Sequence, residues 1–184
     1  TKETWVRELA GLSLRNVEAS LWRKGKLLTS KFGEMLFTHT GVSGPIVLML
    51  SAEVAHKPKW EYPLQLRINL KPALTREQVD HRIQRDFQTY IRKHAENAMK
   101  DLLPQRLIPF VLEQAGIPCE EPVNQVMRVQ RQDLATVLQA FSLTVTGTRP
   151  IEEAIVTAGG IAVKEINPKT MESKKVPNLF FAGE

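Results

Sequence analysis

The sequence holds a single cysteine, Cys119, in 184 residues, which excludes an internal disulfide and any cysteine-rich zinc site. Pro118 and Glu120 flank it; acidic neighbours oppose thiolate formation, so a reactive thiol is not expected there. Long apolar runs are missing too. The longest, Ile46 to Leu50, is far below the roughly 20 residues that cross a bilayer, and no signal-peptide pattern opens the chain. A cytoplasmic protein without a membrane partner is the expectation. There is also no Walker loop, no G-x-G-x-x-G, no H-E-x-x-H and no nucleophile elbow. If the chain belongs to an enzyme, the loop that anchors its cofactor lies elsewhere.

What is present is ordinary for a globular domain, with 42% apolar and 24% charged residues, enough to bury a substantial core. The formal charge of +5 raises the question of nucleic acid, which the distribution of charge decides. Arg82, Arg85, Arg92, Lys93, Lys100 and Arg106 are interleaved with Glu77, Asp80, Asp86, Glu96 and Asp101. That is a mixed solvated face, and Phe87 and Tyr90 fall on its apolar side, so nucleic acid is not an expected partner.

Three regions differ in periodicity. From Trp5 to Leu70 apolar residues recur every second position, with a phase slip near Asn16 that predicts a bulge. Tyr62, Leu64, Leu66, Ile68 and Leu70 give the cleanest alternation, with Pro63 tolerated at a strand start or sheet edge. Arg23-Lys24-Gly25-Lys26 reads as the turn between two strands. After Pro72 the period lengthens. Thr75 and Gln78 match a capping box, and Val79, Ile83, Phe87, Tyr90, Ile91, Ala95 and Ala98 predict one amphipathic helix of five or more turns. Leu107 to Leu112 predict another, stopped at Gly116, and Leu134, Val137, Leu138 and Phe141 a third. Alternation returns from Ser142, with a further strand pair expected around Ala158-Gly159-Gly160.

A helical block bracketed by strands is most simply an insertion into a β domain. The expected class is α+β, a β-barrel or sandwich carrying an inserted α-helical subdomain. Residues 1–72 and 142–176 would make the β part and 73–141 the insertion. Residues 177–184 would be a returning strand, with Leu179 to Ala182 buried. Two consecutive domains are the competing plan, but the strands after Ser142 are too few for a sheet of their own.

Four local constellations could carry chemistry. Thr38-His39-Thr40-Gly41-Val42-Ser43-Gly44-Pro45 leads into an apolar helix, with Pro45 suited to its first position and Ser43 or Gly44 to its cap. Such a helix start favours an anion or an electron-rich ring edge; an ordinary strand-to-helix turn has the same spacing. His39 has no cysteine or second histidine beside it to build a metal site. Thr157-Ala158-Gly159-Gly160 between β-branched runs marks either a hairpin turn or close approach to a flat ligand. Asn167-Pro168 opens a turn in a charged segment. The chain ends Leu179-Phe180-Phe181-Ala182-Gly183-Glu184, an apolar run closing on glycine and a carboxylate, as at the strand ends where open α/β sheets place ligands. With Thr1 rather than Met at the start, the chain is expected to be a piece of a larger protein.

Taken in order, Gly33 to Pro45, Val156 to Ile161, Lys164 to Met171 and Leu179 to Glu184 resemble the BaiN/YhiN-type bacterial NAD(P)/FAD-dependent oxidoreductases, the aminoacetone-oxidase-like flavoproteins. The resemblance runs over essentially the whole chain, with little signature in the helical middle. It implies a Rossmann-like FAD domain interrupted by a barrel insert that carries a helical subdomain, and a return to the FAD domain near Leu179. That missing FAD domain would be this chain's partner.

The resemblance also implies roles. Thr157, Gly159 and Gly160 would approach the flavin ring and Gly183 and Glu184 its ribityl or ribose region. His39, Gly41, Ser43 and Gly44 would form a loop facing flavin or a small-molecule substrate. The implied chemistry is hydride transfer from NAD(P)H through FAD, with this chain as a cover over the flavin that is inactive alone. No catalytic acid or base is implied. An alternative from another class is a helical protein- or RNA-interaction module without redox activity.

Overall fold

A computed structural model describes residues 1–55, 60–154 and 160–182. They divide into two compact units, Thr1–Arg149 and Pro150–Glu184.

The first unit is built on a five-stranded antiparallel sheet of order β3-β2-β1-β4-β5. Its strands are β1 (Ser13–Arg23), β2 (Lys26–Phe37), β3 (Val42–Ser43), β4 (Leu64–Asn69) and β5 (Phe141–Val145). The slip near Asn16 is a bulge: Asn16 has φ +54, and pairing with β2 jumps from Leu14↔Met35 to Val17↔Gly33. The extra residue returns Val17, Ala19 and Leu21 to the face of Leu14, and all four are buried. Lys24 at φ +47 and Gly25 at φ +77 join β1 to β2, a turn whose twist matches that of the strands. Pro63 stands just before β4, where its missing N–H costs no ladder bond.

One face of this sheet is apolar and the other polar. Leu14, Met35, Phe37, Leu66, Ile68 and Leu143 are among the buried residues of the first face. On the other, Arg67 lies 4.4 Å from the Trp22 ring centroid. The helix α1 (Pro45–Ala55) packs on the apolar face over β2, tied by Lys31 to Glu53 at 3.2 Å. Trp5 stacks on Phe110 at 4.6 Å and leans on Phe141 at 5.7 Å, joining the N-terminal turn to the helical part and to β5.

That helical part lies between β4 and β5. It comprises α2 (Arg76–Thr89), α3 (Ala95–Ala98), α4 (Ile108–Gln114) and α5 (Arg128–Gln139). The capping box forms in full, Gln78 N–H donating to Thr75 Oγ1 at 3.3 Å and Thr75 N–H to Gln78 Oε1 at 2.9 Å. The long helix predicted through Ala98 is not continuous. Its backbone finds other partners after Thr89: Val123 N–H donates to the Lys93 carbonyl at 3.0 Å and Ala95 N–H to the Glu121 carbonyl at 2.8 Å. The apolar spacing persists because Ala95 and Ala98 reach the core from the separate short α3. Gly116 follows α4 at φ +68, the left-handed stop its position predicts. Phe141, grouped by spacing with α5, instead opens β5, because Ala140 leaves helical geometry at φ −149, ψ 47.

In Pro150–Glu184, Gly160 has φ +113 and Val163–Glu165 form a 3₁₀ turn. Single antiparallel bridges, Ile166↔Ser173 and Glu172↔Phe180, close the loop beyond it. The Asn167-Pro168 turn is present, with Lys169 N–H donating to Asn167 Oδ1 at 3.0 Å. The strand expected after Gly160 does not form; the residues preceding Gly160 in that motif lie outside the described ones. Leu179 and Phe180 are 42% and 59% exposed, so the buried strand expected there is not buried within this unit, which is too small to enclose it. Among the described residues no helix is long and apolar enough to cross a membrane.

Candidate functional site

The loop from β2 to α1 is shaped by its own hydrogen bonds. Thr38 N–H donates to the Gly41 carbonyl at 2.8 Å, and Gly41 N–H returns a bond to Thr38 Oγ1 at 3.1 Å. This closed turn leaves His39 and Thr40 exposed at its tip. β3 then pairs back on β2 through Leu36↔Ser43 and Phe37↔Val42. Gly44 reverses the chain at φ +95, and α1 begins at Pro45 with Leu48 N–H donating to the Gly44 carbonyl at 3.0 Å. Gly44 has no side chain to cap the helix, and in its first turn Pro45 is exposed while Ile46 is buried.

The two loop glycines are explained by the chain's own packing. A Cβ on Gly44 would lie 3.0 Å from Met35 Cα, and one on Gly41 3.3 Å from the Thr1 nitrogen. Gly33 on β2 serves the same contact from the other side, its absent Cβ falling 2.7 Å from Ile46 Cγ2. Gly33 and Gly44 thus let α1 press onto the sheet, while Gly41 makes room for the N-terminal residue. The groups the loop offers to a ligand are therefore the His39 and Thr40 side chains, the Ser43 hydroxyl and the start of α1. Beyond that start, Leu48 and Met49 stand outward, 42% and 52% exposed.

The structure thus brings His39, Gly41, Ser43 and Gly44 into one loop. Gly160 belongs to the other unit, where nothing lies within 4 Å of the position its Cβ would take. Thr157, Gly159, Gly183 and Glu184 lie outside the described residues. Among the described residues no three His, Cys, Asp or Glu side chains gather as metal ligands. At Cys119 burial first, then the charges of Glu96, Glu120 and Glu113, push the thiol pKa up. This agrees with the inert thiol its neighbours suggest.

Sequence reasoning missed a second feature, a shallow groove where the chain turns after α2. Two adjoining hollows of about 480 and 600 Å³ share Ile91 and Asn124. Their walls come from α2, the residues just after it, the segment 122–126 and Arg131, which no local signal in the sequence brings together.

Comparison with known proteins places the chain. Residues 1–156 match the family model described as HI0933-like protein barrel and H2TH domain. The chain is 31% identical to a ribosomal RNA dihydrouridine synthase of Haemophilus influenzae, over 99% of this chain and 42% of that protein. It is 31% identical to a ribosomal RNA dihydrouridine synthase of Escherichia coli, over 82% and 35% respectively. It is 28% identical to a 3-dehydro-bile acid delta(4,6)-reductase of Clostridium scindens, over 86% and 39%. The chain therefore spans only about two fifths of the length of these relatives. The ordered motifs, the antiparallel sheet with its helical part and the match over residues 1–156 agree, and the chain belongs to the HI0933-like family.

Proposed function

We propose that the whole protein is a flavin-dependent oxidoreductase that adds hydrogen across a carbon–carbon double bond conjugated to a carbonyl, and that this chain forms the part covering the flavin. Family membership over residues 1–156 carries this reading. The relatives' names share one reaction type: dihydrouridine is uridine with two hydrogens added to its ring double bond, and a delta(4,6)-reductase removes double bonds of a steroid enone. FAD would supply the hydride chemistry, drawn from NAD(P)H.

The described residues do not enclose a flavin. Gly160 fits the close approach of a flat ring, because its φ of +113 and the open space beside it leave backbone alone at that surface. Thr157, Gly159, Gly183 and Glu184 would complete that contact, with the rest supplied by a Rossmann-like FAD domain. From the loop of residues 38–45, His39, Thr40 and Ser43 would orient the substrate. The long apolar side chains at Leu48 and Met49 would exclude water around it. A cytoplasmic setting suits an enzyme drawing on NAD(P)H.

The visible absorption spectrum tests this reading. The purified whole protein should carry the oxidised flavin bands and lose them on anaerobic addition of NADPH or NADH, while this chain alone should be colourless. A whole protein without flavin that binds RNA would replace the reading with an interaction module. Stoichiometric flavin on this chain alone would overturn the division of the site.

A further inference from the structure

The sheet has two edges, β3 and β5, and residues 1–3 run between them. Lys2 N–H donates to the Thr144 carbonyl at 2.9 Å, and Thr144 N–H donates to Glu3 Oε1 at 2.9 Å. Both outward backbone groups of Thr144 on β5 are thereby occupied, as a neighbouring strand would occupy them. At the other end of the segment, the Thr1 nitrogen donates to the Thr40 carbonyl at 3.2 Å and lies 3.3 Å from where a Gly41 Cβ would stand. Three residues reach at most about 10 Å, so the turn that precedes β3 is tied closely to β5 across the open side of the sheet. Thr1, Thr40 and Thr144 are far apart in the sequence, and no spacing pattern joins them.

Trp5, stacked on Phe110 and leaning on Phe141, fixes the chain just after Glu3. Before that anchor, closure is incomplete. Glu3 Oε2 and Thr1 Oγ1 are buried with no hydrogen-bond partner among the described residues. A buried oxygen without a donor opposes the contact that buries it, so this segment parts from the sheet at less cost than a central strand does. A carboxylate is a stronger acceptor than a carbonyl, so Glu3 carries the larger share of the hold on β5. We propose that residues 1–3 form a latch on the loop of residues 38–45, with Glu3 as its positioning residue. Bonded to β5, the latch supports the Thr38–Gly41 turn and with it the His39 and Thr40 side chains; released, it frees that turn while the sheet stays folded. That this loop meets a substrate rests on the reductase reading above; the latch itself does not.

The test is amide hydrogen exchange of this chain, resolved residue by residue by NMR. The amides of Thr38 and Gly41, which bond to each other's residue within the turn, report on the loop. Those of Ala19 and Leu21, buried in the central strand β1, report on the sheet. Glu3→Ala should speed exchange of the loop amides about tenfold, the loss expected for one hydrogen bond to a charged group, and change Ala19 and Leu21 less than about twofold. Glu3→Gln keeps an oxygen that accepts from Thr144 and should stay within about threefold of the parent. The control Glu8→Ala removes an equal charge from an exposed side chain and should alter neither set. Unchanged loop amides in Glu3→Ala, an equal acceleration at Ala19 and Leu21, or the same effect from Glu8→Ala would overturn the proposal. The first outcome would make the contact incidental, and the second would make Glu3 a contributor to general stability. The measurement needs neither flavin nor substrate, so its failure leaves the reductase reading standing. Conversely, a colourless whole protein would remove that reading without touching the latch.

Discussion

Gly44 shows how a single missing side chain positions the candidate site. Its φ of +95 is a backbone state that L side chains rarely adopt, and its Cβ would meet backbone atoms of Met35 and Leu36 at 3.0 and 3.1 Å. Backbone cannot swing aside as a flexible side chain can, so strain and clash add. Gly44→Ala should therefore cost about 2–4 kcal/mol, the left-handed strain together with an overpacked contact. Gly160→Ala, at φ +113 with nothing within 4 Å, carries the strain without the clash and should cost about 1–2 kcal/mol. Urea midpoints of the two variants compare them directly, and equal losses would show that the contact with β2 contributes nothing. By resemblance, Gly41 and Gly44 belong to a loop that would face flavin or substrate. In the fold Gly44 makes room for β2.

Among the elements, what local chemistry dictates was legible and what distant partners dictate was not. The bulge at Asn16, the Lys24-Gly25 turn, the Thr75–Gln78 box and the stop at Gly116 each depend on a few neighbouring residues, so the sequence reveals them. The break after Thr89 depends on Val123 and Glu121 reaching Lys93 and Ala95, about thirty positions away, and periodicity alone runs the helix past it. The contact of α5 with α2 hides in the same way, because it requires α5 to deliver Arg131 to Asp80. That clasp between α2 and α5 has a pH signature. Burial pushes the Asp80 carboxyl up, but bonds from Arg131 and Gln84 and the charges of Arg131 and His81 outweigh it and hold the pKa below its ordinary 3.8. A carboxylate depressed in the folded state contributes stability that is complete above its unfolded pKa and is lost as pH falls through the folded one. Asp80→Asn should lower stability by about 1 kcal/mol at pH 7, and the gap from the parent should close as the pH falls below 3.8. Chemical denaturation at neutral and acid pH reads this, and a gap independent of pH would mean that the charge is not what holds α2 to α5.

For the molecule as a whole, α1 is the element that this chain leaves unfinished. A helix apolar nearly all round is a buried helix. Yet Pro45–Ala55 buries Ile46 and Leu50 against β2 and leaves Leu48 and Met49 about half exposed. The chain spans about two fifths of its relatives' length, and the expectation is that the whole protein proposed above covers that face. Leu48→Gln with Met49→Gln keeps good helix formers at both positions and removes only the apolar outer surface. In this chain the pair should change stability by less than about 0.5 kcal/mol, as surface substitutions do, and reduce the binding of a hydrophobic dye. In the whole protein the same pair should cost about 2–4 kcal/mol, because two side chains that are buried there would be replaced by amides without partners. Parallel melts of the two proteins decide the matter: equal small shifts would mean that this face stays open to solvent, and equal large shifts that it already contributes to the fold of the shorter chain.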